Sequence, residues 1–171
     1  MRPPVHPYGT RSRLLHWGSV ALVVVLFIYS GQFIDTPTAE ADERRMLHSS
    51  YGMLLLALMV VRIWWRTRTA DPLDSYTLPN LQKFFARCVH YSLYTLLLVQ
   101  CILGVLILVL GDGGSFFGLL DLPSLTDASS DLDEALMPAH AALAKAMLVL
   151  IGAHVLAAIG HLIFGVTEAA R

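Results

Sequence analysis

Four apolar stretches, each near the length that crosses a bilayer, constrain this chain more than any other feature. A helix needs about 20 residues to span the hydrocarbon core. The runs Leu14–Ile34, Met46–Trp65, Cys88–Leu110 and Ala139–Val166 reach that length. The first and third hold no Asp, Glu, Lys or Arg, the second only Arg62 and the fourth only Lys145. The expected fold is all-α, an antiparallel integral membrane four-helix bundle. Bundles of this kind commonly hold cofactors in their core.

Composition agrees. The chain is 56% hydrophobic and 15% charged, with a mean hydropathy of +0.60, whereas soluble domains carry nearer a quarter charged residues. Its 171 residues make one domain, 1–171, without internal repeats. A net charge of −1 gives no reason to expect a nucleic-acid partner. The first apolar run is too long for a signal-peptide core, and no small-residue cleavage site follows it. Cys88 and Cys101 lie thirteen residues apart, about 20 Å along a helix. They cannot pair, and read as buried apolar thiols.

Orientation follows from Lys and Arg near the helix ends. Arg2, Arg11 and Arg13 precede the first span, and Arg66, Arg68, Lys83 and Arg87 lie between the second and third. The loop between the first two spans has only Arg44 and Arg45. The last loop, Gly111 to Met137, has no basic residue but carries Asp112, Asp121, Asp127, Asp131, Asp133 and Glu134. Both termini are therefore expected in the cytoplasm. Trp17, Trp64, Trp65, Phe84 and Phe85 fall at the same inner boundary, as an aromatic belt would. In the long outer loop, Gly111-Asp112-Gly113-Gly114 is a turn signal, and Phe116-Phe117 with Leu119-Leu120 suits the membrane surface. A short helix from about Ser130 is expected to lead into the fourth span, with Pro138 at or near the span's true start.

Polar ligand residues inside a membrane are costly, so the histidines need a reason. Six of the seven lie in or at the ends of the spans, and His6 is in the N-terminal tail. By depth, His16 and His90 belong near the inner face and His48 and His140 near the outer face. His154 follows His140 by fourteen residues, about 21 Å deeper and within about 40° of a whole number of turns. His140 thus matches His48 in depth, and His154 matches His16. Two imidazoles facing at one level can ligate a haem iron from both sides. Two such pairs would stack two b haems across the bilayer, spaced for electron transfer. For a lone membrane histidine, a helix-to-helix hydrogen bond is the commoner role; four paired by depth on three helices favour haem. A zinc site would need three or four ligands at one point, which the spread along the fourth span opposes.

Haem propionates need cations or hydrogen bonds. Arg62, fourteen residues after His48, reaches the inner haem's level; it pairs with a propionate or snorkels to the interface. Arg44 and Arg45, just before His48, serve the outer haem or form a solvated pair. Gly18, Gly52 and Gly152 lie beside the ligands, where a flat ring or close helix packing needs small residues. Lys145 lies about 140° round the helix from His140, away from that haem.

These residues resemble the bacterial cytochrome b561 family, the four-helix, two-haem type. The resemblance rests on Leu14-Leu15-His16-Trp17, Met46-Leu47-His48, Leu58-Met59-Val60-Val61-Arg62, His90, Phe117-Gly118-Leu119, and the spacing of His140, His154 and His161. It covers about residues 11–165. By that resemblance His16 and His154 hold the inner haem and His48 and His140 the outer one, in a bacterial inner membrane. The family's best-understood members look like superoxide oxidases, in which superoxide gives electrons to the haems and ubiquinone takes them. His161 would then be a catalytic quinone contact, with His90, Lys83 and Arg87 lining the same inner region. The alternatives are carbonyl bonding for the two histidines and helix anchoring for Lys83 and Arg87.

One departure bears on the substrate. Superoxide is an anion, and positive charge would speed its capture. The outer loops hold ten acidic residues, among them Asp35, Glu40, Asp42 and Glu43, against Arg44 and Arg45. Such a face suits a cationic periplasmic redox partner instead. Two readings follow: a superoxide-to-quinone oxidoreductase, or a haem-b anchor and electron conduit for a dehydrogenase or soluble cytochrome. A haem-free bundle would be colourless. Either a monomer or a homodimer fits the sequence.

Overall fold

The computed structural model describes residues 9–30, 38–69, 79–125 and 131–164. Within them lie α1 (Thr10–Ser30), α2 (Thr38–Thr67), α3 (Asn80–Leu110), β1 (Gly114–Phe116), β2 (Leu120–Leu122) and α4 (Asp131–Phe164). All four helices are long and apolar enough to cross a membrane. The far ends of the first and fourth predicted spans, 31–34 and 165–166, fall outside the described residues, as do Arg2, His6, Asp35 and Asp127.

Polar turns extend the helices beyond their apolar stretches. α2 opens at Thr38 and α3 at Asn80, each about two turns before the apolar run begins. α4 is continuous from Asp131, so Pro138 lies inside it rather than at its start. The lead-in expected from about Ser130 is therefore the first part of one helix. Large apolar side chains point outward, with Leu156 70% and Leu162 83% exposed. That pattern would be costly in water and is neutral against lipid tails.

The main packed pairs are α1 with α2, α2 with α3, and α3 with α4. Their shared core is small: Leu55 and Met59 from α2, Leu97 and Cys101 from α3, and Met147 from α4. Of the two cysteines only Cys101 is buried; Cys88 is exposed on the bundle surface, so its apolar surroundings are lipid rather than protein. A seven-residue step builds the layers. On α4, Met147 lies midway between His140 and His154; on α2, Leu55 lies midway between His48 and Arg62. Seven residues come within about 20° of two full turns, so each series keeps to one face. Leu97, seven after His90, and Val23, seven after His16, join the same middle layer.

The α3–α4 connection contains a two-stranded antiparallel hairpin that the sequence reading did not foresee. Gly114 pairs with Leu122, Ser115 with Asp121 and Phe116 with Leu120. Phe117 and Gly118 both have positive φ, 52° and 69°, as hairpin turns of type I′ require. Phe at such a position is strained, and tertiary contacts hold it. The Phe117 N–H donates to Ser50 Oγ at 2.8 Å, and its ring meets Tyr51 edge-on at 5.1 Å. Ser50 is fully buried and donates to the Met46 carbonyl at 2.7 Å. Phe117 thus turns onto α2, while Leu119 and Leu120 remain exposed. Gly113, with φ 74°, allows the chain to enter the hairpin; a Cβ there would meet the Leu122 carbonyl oxygen at 2.5 Å.

At the other end of the bundle, the start of α1 is tied to the end of α2. Trp65 Nε1 donates to Ser12 Oγ at 3.0 Å, and the Arg11 guanidinium lies over the Trp65 ring.

Candidate functional site

The structure brings the histidines together in two groups, one toward each end of the bundle. Toward the hairpin, the rings of His48 on α2 and His140 on α4 have centres 6.3 Å apart. Toward the chain termini, His16 on α1 and His154 on α4 have centres 6.4 Å apart. In both pairs the rings are inclined at 74°. Among the described residues, α4 lacks with α1 and α2 the extensive packing it has with α3. The facing imidazoles therefore lie across the two looser seams.

That spacing can be tested against an iron. Bonds of about 2.0–2.1 Å from metal to imidazole nitrogen place the centres of two opposed rings roughly 6 Å apart. Both pairs meet this distance. His90 is different: its ring centre is 5.2 Å from that of His154, too close to admit a metal between them. Of the two neighbours of His154, only His16 is at a distance that would admit a metal between the rings. Among the described residues no group of three or more His, Cys, Asp or Glu is placed to hold a metal ion. A haem would bring its own ring nitrogens, so two imidazoles at each site would be enough to hold one.

Hydrogen bonds set the ring orientations differently in the two pairs. His48 Nδ1 lies 3.2 Å from the Leu26 carbonyl oxygen. A carbonyl only accepts, so Nδ1 carries the proton and Nε2 keeps its lone pair. This is the tautomer a metal-binding imidazole needs. At the other pair, Arg62 Nη2 lies 2.9 Å from His16 Nδ1. A guanidinium only donates, so here Nδ1 accepts. Arg62 also lies over the Tyr94 ring, 5.0 Å from its centre.

The remaining candidates spread out. Arg44 is engaged by Glu40 through two hydrogen bonds, at 2.8 and 3.2 Å, so its charge is compensated within α2. Arg45 lines a groove of about 390 Å³ beside the hairpin, together with Asp42, Ser49, Asp112 and Asp121. The carboxylates outnumber the cation there. Lys83 and Arg87 sit on the first turns of α3, before His90. His161 is exposed in the last turn of α4, seven residues past His154 and about 10 Å further along the helix. Gly152 has open space around it. Gly18 faces Leu58 and Gly52 faces Leu26, so these two glycines serve helix packing.

Sequence reasoning passed over Gln100 and Gly104 on α3. Gln100 is buried and donates from Nε2 to the His140 backbone carbonyl at 3.0 Å. One turn on, a Cβ at Gly104 would lie 3.3 Å from His140 Cε1. The signal was present: a primary amide in the middle of a leucine-rich span is as costly as a histidine there.

The comparisons with known proteins identify the family. Residues 7–169 match the model of the prokaryotic cytochrome b561 family. The chain is 34% identical over 169 residues to cytochrome b561 homolog 2 of Escherichia coli (strain K12), covering 90% of this chain and 84% of that one. It is 30% identical over 152 residues to a probable superoxide oxidase, CybB, of Yersinia pestis, covering 86% and 84%. With two histidine pairs in four membrane-length helices and a family match over nearly its whole length, the chain belongs to the prokaryotic cytochrome b561 family of multi-pass, haem-b electron-transfer proteins.

Proposed function

We propose that the protein carries electrons through two b haems, held by His48 with His140 and by His16 with His154, from superoxide at the hairpin end to ubiquinone at the terminal end. The observation that carries this reading is the pair of facing imidazoles at 6.3 and 6.4 Å, one toward each end of the bundle. Haem iron supplies one-electron transfer, and the chain supplies ligands, burial and nearby charge. The basic residues flanking the first three spans favour a cytoplasmic terminal end. The named superoxide oxidase relative supports superoxide as the donor.

The balance is simple. Two superoxide ions each lose one electron and leave as O₂; one ubiquinone gains both electrons and two protons to become ubiquinol. The entry side needs access to the His48–His140 site but no acid–base group. The exit side needs protons, and His161, exposed at that end, is the proposed donor. Were His16 to hold a haem through Nε2, its ring proton would sit on Nδ1 and the Arg62 guanidinium would be free to turn elsewhere. The fork of Arg62 then suits a propionate carboxylate. His90, Lys83 and Arg87 complete the surroundings of the terminal site.

The acidic hairpin end favours a second reading. Asp42, Asp112 and Asp121 around Arg45 make a surface suited to a cationic redox partner, with the protein as its conduit to the membrane. One experiment separates the two: haem reduction in the air-oxidised protein under a steady flux of superoxide. Reduction that superoxide dismutase abolishes and ubiquinone discharges supports the oxidase. Haems that ignore superoxide would overturn it and leave the conduit.

A further inference from the structure

Two buried side-chain polar atoms lack a hydrogen-bond partner among the described residues: Gln100 Oε1 and His140 Nδ1. They belong to residues already in contact, since Gln100 Nε2 donates to the His140 carbonyl at 3.0 Å. Buried polar atoms are rarely left unpaired, because each costs about 1–3 kcal/mol. One of these orphans is a pure acceptor. The other is a ring nitrogen that becomes a donor once it carries the imidazole proton.

The surface of α3 directs them to each other. Gly104, one turn beyond Gln100, lies against the same imidazole; a Cβ there would be 3.3 Å from Cε1 and 3.9 Å from Nδ1. The Cε1–Nδ1 edge of His140 therefore faces the strip of α3 that bears Gln100. The opposite ring of the pair has this support already, from the Leu26 carbonyl to His48 Nδ1. Metal-bound imidazoles nearly always donate their second N–H to such an acceptor, which fixes the tautomer and makes the ring a stronger electron donor.

We propose that Gln100 is the positioning residue of the hairpin-end haem: its Oε1 accepts the Nδ1 proton of His140, commits Nε2 to the iron, and lowers that haem's reduction potential. The proposal rests on His140 being a haem ligand. Electron donation from a hydrogen-bonded imidazole favours the oxidised iron, so loss of the acceptor makes reduction easier. Leu26 and Gln100 then perform one task from opposite sides, the first with main chain and the second with a side chain that mutation can reach.

The test compares Gln100→Leu and Gln100→Glu with the unmodified protein and with His140→Ala. Haem per chain, a redox titration and the histidine C–N bands of the redox-difference infrared spectrum are recorded. Gln100→Leu should keep two haems and favour reduction of one of them by roughly tenfold, the lower end for removal of such a support, which is about 59 mV for one electron. Gln100→Glu should move the same haem the other way, and both variants should shift a ring band that reports the bond at Nδ1. Two haems with unmoved potentials and unmoved bands would overturn the proposal and leave Gln100 as a tie between α3 and α4. If Gln100→Leu loses the haem, Gln100→Glu decides alone: a shifted band and a lower potential support the proposal, and an unshifted band ends it. His140→Ala separates the two layers of the argument. Retention of both haems there would remove His140 as a ligand, and the role of Gln100 with it.

Discussion

The imidazole of His140 sits tightly against Gly104, where an added Cβ would lie 3.3 Å from Cε1. Gly104→Val should displace the ring and remove one haem of the two, read as half the haem absorbance per protein. Gly104→Ala asks the ring to yield only a few tenths of an ångström and should lose much less. Full haem content in Gly104→Val would show that α3 does not hold the ring in place.

The distances separate ligands from neighbours. His16→Ala and His154→Ala should lose the same haem, and His48→Ala and His140→Ala the other, each leaving a one-haem spectrum. His90→Ala should keep both, because its ring is too near that of His154 to share a metal with it. Loss of a haem from His90→Ala, with retention in His16→Ala, would reverse the pairing at that end.

Arg62 is a cation at the terminal pair, its Nη2 2.9 Å from His16 Nδ1. A positive charge beside a haem favours the reduced state. Arg62→Gln should therefore make reduction of that haem harder by roughly tenfold, about 1.4 kcal/mol. A redox titration measures this directly, and the hairpin-end haem should titrate as before. An unchanged potential would place the guanidinium at the interface instead.

Ser50 holds the hairpin turn. Ser50→Ala leaves the Phe117 N–H without its acceptor and should cost about 1–3 kcal/mol. The expected signs are a lower thermal midpoint and faster proteolysis within 114–122, with both haems retained. Equal protease resistance would mean that the aromatic contacts of Phe117 suffice.

On the proposed function, His161 supplies protons for quinone reduction. His161→Ala should bind two haems with normal spectra and reduce ubiquinone more slowly. Unchanged turnover would remove it from the mechanism.

The helices were legible because their period and their medium agree: an apolar run of membrane length has one sensible conformation. The depths of His16, His48, His140 and His154 followed from arithmetic on a regular helix. What escaped was irregular or relational. The hairpin depends on Phe117 accepting a positive φ, which its own residue type disfavours and Ser50 on another helix permits. Gln100 matters through what it faces on α4, and that depends on how α3 is rotated. Arg44, four residues before His48, is held instead by Glu40 one turn away.

The layer formed by Leu55, Leu97 and Met147 is also an electrical partition. These three side chains carry no titratable group, so on the proposed path an electron passing them would find no proton carrier among them. On the proposed function, protons for the quinone would enter from the terminal end. Each transfer across the partition moves net charge through part of the membrane's field. The full field is worth about 2.3 kcal/mol per charge for every 100 mV. With the terminal end in the cytoplasm, as proposed, inward electron flow along this path would be opposed by a membrane potential negative inside, and collapsing that potential would release the brake.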